Sequence, residues 1–138
     1  MALSIIPMLA VHDAAAAISF YQSVFGATEA NRMVTEDGKT SHAEIRVGDA
    51  RFMVADEFPE HNTAAETLGG TPVILYITVE DALETVNNAL AAGAAMLREV
   101  AAQPHGDLVG KIKDPFGHVW MIAEPLKTVP QKKIIQGN

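Results

Sequence analysis

The segment SHAEIRV, residues 41–47, sets His42, Glu44 and Arg46 at alternate positions with Ala43, Ile45 and Val47 between them. In an extended chain alternate side chains point to opposite faces, so the three polar groups share one face and the apolar set the other. A histidine beside a carboxylate has the makings of a general acid/base pair, and a guanidinium next to them can orient a polar ligand. The same spacing also suits a solvated strand face, or a Glu44–Arg46 ion pair that holds structure without chemistry. The other histidines, His12, His61, His105 and His118, fall at strand ends, in turns or in loops. The chain has no cysteine, which excludes disulfides, thiolate nucleophiles and zinc-finger sites.

These residues belong to a chain of 138 residues, the size of one ordinary domain with a real core. A net charge of -7 with only ten Lys and Arg argues against a nucleic-acid partner. The basic pair Lys132-Lys133 reads as a solvated terminus. The opening MALSIIPMLAVHDAAAA has no basic leader, and Pro7, His12 and Asp13 interrupt its apolar run. It reads as neither a signal peptide nor a membrane span, and with the lack of cysteine this points to the cytoplasm. No Gly-rich phosphate loop and no Gly-x-Ser-x-Gly elbow is present.

The elements that must position the polar strand come in two copies. Sliding the chain on itself by 68 residues pairs Val11 with Val79, Asp13 with Asp81, Gly38 with Gly106, Phe52 with Trp120, Met53 with Met121 and Ala55 with Ala123. Self-similarity at so long a period indicates two copies of one supersecondary module. Each copy opens with an apolar strand, PMLAV or PVILYITV, and an aspartate that starts a helix, Asp13 or Asp81. The helices span about 13–25 and 81–92; Ala17, Ile18, Tyr21 and Phe25 form the apolar stripe of one, and Leu83, Val86 and Leu90 that of the other. Gly26 and Gly93 end them. Three strands follow each helix, near 28–35, 40–47 and 51–55, and near 95–101, 107–113 and 118–123. The expected organisation is a βαβββ module over 1–58, a linker over 59–71 rich in Pro and Gly, a second module over 72–126 and a tail over 127–138, together one α+β domain.

The paired modules, the segment ISFYQSVFGA after the first strand and DPFGHVW before the last resemble the vicinal oxygen chelate superfamily, in its glyoxalase/bleomycin-resistance or PhnB-like branch. The resemblance runs from about Ile5 to Glu124. It implies an eight-stranded half-barrel around a cleft, and a homodimer, since members of the superfamily often build each cavity from modules of both chains. One departure stands out. Where PhnB-like relatives often carry an aromatic-Trp-Gly-Asp-Arg stretch, this chain has Pro104, His105, Gly106, Asp107 and Leu108.

Metal-using members supply His or carboxylate ligands from the first and last strands of each module. The resemblance carries those positions to Ile6, Met53, Ile74 and Met121. Zn²⁺, Ni²⁺ and Fe²⁺ need imidazole, carboxylate or thiolate donors, and a thioether is a soft, weak substitute. The expectation is therefore no metal and no cofactor at the inherited site. Strand parity adds Met8 beside Ile6 and Tyr76 beside Ile74, and turns Phe52 and Trp120 toward the helices.

Two readings of function follow. In the first, the protein is a metal-independent binder of a small organic molecule, with Ile6, Met8, His42, Glu44, Arg46, Met53, Ile74, Tyr76 and Met121 as the ligand-binding set, sequestering an antibiotic or toxic metabolite. The net acidic charge leans toward cationic ligands. In the second, it is an enzyme of the same fold, a lyase, isomerase or dioxygenase-like protein, using His42 and Glu44 as acid and base or as relocated metal ligands.

Overall fold

The structure, a computed structural model, describes residues 2–126. The tail over 127–138, with Lys132 and Lys133, lies outside the described residues. The chain divides into two units, Met1–Thr71 and Pro72–Asn138.

In unit 1 the order is β1 (Met8–Val11), α1 (Ala14–Phe25), β2 (Thr28–Val34), β3 (Thr40–Val47), β4 (Ala50–Asp56) and the short α2 (Ala65–Leu68). In unit 2 it is β5 (Ile74–Thr78), α3 (Ala82–Ala91), β6 (Ala95–Ala102), β7 (Asp107–Lys113) and β8 (Val119–Pro125). Each unit folds as a four-stranded sheet, β1-β4-β3-β2 in one and β5-β8-β7-β6 in the other. In each unit the first strand lies at one edge and pairs in parallel with the last, and the other pairings are antiparallel, so the architecture is α+β with the expected βαβββ order.

The two longer helices, α1 and α3, start under double control. The Asp13 carboxylate accepts from the Ala16 amide at 3.1 Å, and that of Asp81 from the Glu84 amide at 3.0 Å. These side chains satisfy amides that a helix start leaves without an intrahelical acceptor. A last-strand carboxylate takes another such amide: Asp56 accepts from Ala14 at 2.7 Å, and Glu124 from Ala82 at 2.9 Å. Asp56 also accepts from the Thr40 amide at 2.7 Å, tying α1, β3 and β4 together. At the far end of α1, Gly26 adopts φ 68°, a left-handed conformation that costs glycine little.

The core of each unit lies between helix and sheet. Ala17, Ile18 and Tyr21 of α1 are buried as expected, and the Tyr21 ring meets Phe52 edge-on at 5.3 Å while Phe25 stacks on its other side. Of the stripe expected on α3, Val86 is buried and Leu90 half-buried, but Leu83 is corrected: it is 58% exposed, and Ala82 and Ala89 are buried in its place. Small residues let the helix lie close to β7, where Gly110 leaves room for Val86 and Val100. Leu83 sits about 100° around the helix from Ala82 and misses that seam.

The segment read as a linker also carries structure. Ala64 and Ala65 at the start of α2 are buried, and Glu57 accepts from the Ala64 amide at 2.9 Å and the Thr67 hydroxyl at 2.8 Å. His12 at the end of β1 pairs with Glu66, so α2 is docked on unit 1. Among the described residues no helix is long and apolar enough to cross a membrane.

Candidate functional site

The face of each sheet turned away from its helix carries the residues singled out from the sequence. In unit 1 the register places Met8, Met53, Glu44 and Asn31 side by side across all four strands. In unit 2 the matching row is Tyr76, Met121, Lys111 and Arg98. Each row thus has an apolar half on the two parallel strands and a polar half on the other two.

On β3, Ala43 and Ile45 are buried toward α1, which leaves His42, Glu44 and Arg46 together on the open face as alternation required. Their partners are informative. Arg46 donates from Nε to Glu44 Oε2 at 2.9 Å, and Arg51 Nη1 lies 3.5 Å from Glu44 Oε1. The Arg46 hydrogen bond holds the Glu44 carboxyl below the ordinary glutamate range, with the Arg51 charge acting in the same direction. His42 turns elsewhere, with Nε2 3.0 Å from the Met53 sulfur. Glu44 is thus a fixed anion between two arginines, and a carboxylate so stabilised is a weak base near neutral pH.

Ile6 precedes β1 and lies outside the strand, whereas its counterpart Ile74 opens β5 opposite Val119. Met53 and Met121 are half-buried; Met8, Ile74 and Tyr76 are 55%, 44% and 50% exposed. Phe52 and Trp120 are buried on the helix side, so they belong to the core. Among the described residues no three His, Cys, Asp or Glu side chains are grouped to hold a metal ion.

Tyr76 makes a contact that the sequence did not announce. Its hydroxyl donates to Asp107 Oδ2 at 2.7 Å, and His105 Nδ1 stands 3.7 Å from the same oxygen. Burial, then the Asp107 hydrogen bond and charge, push the Tyr76 phenol up to about 12. Asp107 thereby orients the exposed ring beside Met121. Asp107, Lys111 and Arg98 were absent from the expected ligand set. At the constant offset of 68 residues Glu44 aligns with Ile112, not Lys111. The register in the sheets corrects this, because β3 and β7 are shifted by one residue relative to β4 and β8. The longer β7–β8 turn absorbs the change.

That turn is DPFGH. Asp114 is buried and accepts from the amides of Phe116 at 2.9 Å and His118 at 3.0 Å and from the Trp120 indole at 2.9 Å. The motif is therefore a structural staple that anchors β8 and so positions Met121.

Comparison with known proteins agrees with this architecture. The family model described as the Glyoxalase/Bleomycin resistance protein/Dioxygenase superfamily matches residues 5–122. The uncharacterized protein Mb0911c of Mycobacterium bovis is 38% identical over 132 residues, covering 93% of this chain and 87% of that one. The X-ray structure of the Arabidopsis thaliana gene product At5g48480 is similar with a TM-score of 0.71 and 29% identity, over 90% of this chain and 100% of that one. The crystal structure of TioX from Micromonospora sp. ML1 shares the fold at a TM-score of 0.69 and 24% identity, over 91% of this chain and 100% of that one. With the family model spanning both βαβββ units, the chain belongs to the glyoxalase/bleomycin resistance protein/dioxygenase superfamily.

Proposed function

We propose that this protein is a metal-independent, cytoplasmic binder of a small, partly apolar organic molecule, of the PhnB-like kind, acting as a homodimer that sequesters an antibiotic or toxic metabolite. The observation that carries the reading is the chemistry of the inherited positions: Ile6, Met53, Ile74 and Met121 offer no hard donor, and Met53 and Met121 stand in register with Met8 and Tyr76. Thioether side chains are flexible and polarizable and suit aromatic or aliphatic ligands. The state of Glu44 favours binding over acid/base catalysis, since two arginines hold it as an anion and His42 faces Met53. Dimerisation draws support from Met96 and Leu97, both exposed on the edge strand β6.

Titration with the uncharged fluorophore N-phenyl-1-naphthylamine in the presence of EDTA tests the reading. Saturable binding that Met121→Glu weakens about tenfold or more is the expected result, since a charge would then stand where apolar contact is made. Failure to saturate, or binding that appears only on adding a divalent metal, would overturn it.

A further inference from the structure

The charges on the two open faces are arranged against the protein's overall sign. The chain carries -7, yet Arg46, Arg51, Arg98, Lys111 and Lys113 all lie on the open faces. The other cations of the described residues are engaged elsewhere: Arg32 pairs with Glu29, and Lys39 donates to the Glu57 carbonyl.

Both units place two cations directly opposite each other on neighbouring strands, Arg46 with Arg51 and Arg98 with Lys111. Like charges directly opposite destabilise a sheet. Unit 1 resolves the conflict internally, because Glu44 lies between its two arginines and meets both. In unit 2 the place of Glu44 is taken by Lys111 itself. Among the described residues neither Arg98 nor Lys111 has an ion-pair partner. Asp107, on the same face of β7, receives the Tyr76 hydroxyl and neighbours His105. Residues 127–138 contain no Asp or Glu.

We infer that Arg98 and Lys111 form an anion site, and that the ligand is an amphipathic organic acid whose carboxylate, sulfonate or phosphonate group lies against them while its apolar body rests on Met121 and Tyr76. The inference rests on the proposed binding role of the open faces and specifies the ligand's chemistry. The row order supports the division of labour: Tyr76 and Met121 supply the apolar half, Lys111 and Arg98 the cationic half, on four consecutive strands. A guanidinium and an ammonium side by side offer several charge-assisted donors to one anionic group. The leaning toward cationic ligands drawn from net charge is thereby replaced by a local one of opposite sign.

A matched pair of probes separates the two levels of the argument. The sulfonate 8-anilinonaphthalene-1-sulfonate and the uncharged N-phenyl-1-naphthylamine share one aromatic body and differ in the anion. Lys111→Gln and Arg98→Gln are each expected to weaken the sulfonate probe about tenfold and to leave the neutral probe within about twofold. Arg32→Gln, which removes a charge from the other face, is expected to change neither. For the wild type, raising the salt concentration should weaken the sulfonate probe alone. If both probes bind and the Lys111 and Arg98 variants change neither, the anion site is wrong and the binding role stands. Equal losses for both probes, or an equal effect of Arg32→Gln on the sulfonate probe, would also overturn the anion site. If neither probe binds the wild type, the binding role fails and the anion site with it.

Discussion

Glu44 and Lys111 occupy the same place in the two units, each in register with the methionine of the last strand, Met53 or Met121. A duplicated scaffold thus presents opposite charges at one position, one settled by neighbouring arginines and the other left for a ligand to settle.

The Glu44 partnership predicts a pH signature. Its folded-state carboxyl is depressed, chiefly by the Arg46 hydrogen bond, so its contribution to stability is present above the ordinary glutamate value and is lost as pH falls through the depressed one. Glu44→Gln is expected to be less stable than the wild type at about pH 7, and the gap should close by about pH 3. Urea denaturation at the two pH values measures it. A gap of equal size at both would contradict the assignment.

Tyr76 titrates in the opposite sense. Burial first, and the Asp107 hydrogen bond and charge next, push its phenol up to about 12, so the Asp107 hydrogen bond contributes fully below the ordinary tyrosine range and is lost as pH rises toward 12. The difference between wild-type and Tyr76→Phe absorbance titrations in the tyrosinate band should show this late ionisation. Asp107→Asn should move it earlier; an unmoved midpoint would show that Asp107 does not hold the phenol.

Asp114 is the residue on which the DPFGHVW motif depends. Asp114→Ala leaves two backbone amides and the Trp120 indole without this acceptor in a buried turn. A loss of about 3 kcal/mol in urea denaturation is expected, with Trp120 fluorescence shifted to the red. A loss below about 0.5 kcal/mol would mean the turn is held by other contacts.

Gly110 is required for space and not for backbone freedom. A Cβ there would stand 2.8 Å from Val100 Cγ2 and 3.1 Å from Val86 Cγ2, and valine side chains have little rotamer freedom with which to yield. Gly110→Ala is expected to destabilise unit 2 by about 1–3 kcal/mol. Adding Val100→Ala to that variant should recover part of the loss.

Much of this architecture was legible in the sequence because its signals are local. Asp13 and Asp81 before apolar helices, the glycine at 26 and the alternation in SHAEIRV each set their own element without reference to the rest of the chain. The parts that were not legible depend on pairing. Leu83 looks like a core residue until the close approach of α3 to Gly110 keeps Val86 and selects Ala82 and Ala89. The docking of α2 depends on Glu57 reaching Ala64 and Thr67 across a stretch that is loop-like in composition. Lys111 and Arg98 emerge only with the register, since one extra residue in the β7–β8 turn shifts the offset on which the sequence comparison relied. A slip of one residue exchanges the two faces of a strand, which is why a constant offset hid them.

Native mass spectrometry of the protein purified without chelator tests the central claim most directly, because one spectrum reports subunit count, bound metal and any retained organic molecule. The account predicts a metal-free dimer, bare or carrying an organic adduct. A stoichiometric divalent ion would contradict the assignment drawn from Ile6, Met53, Ile74 and Met121, and would make His42 and Glu44 the first residues to mutate.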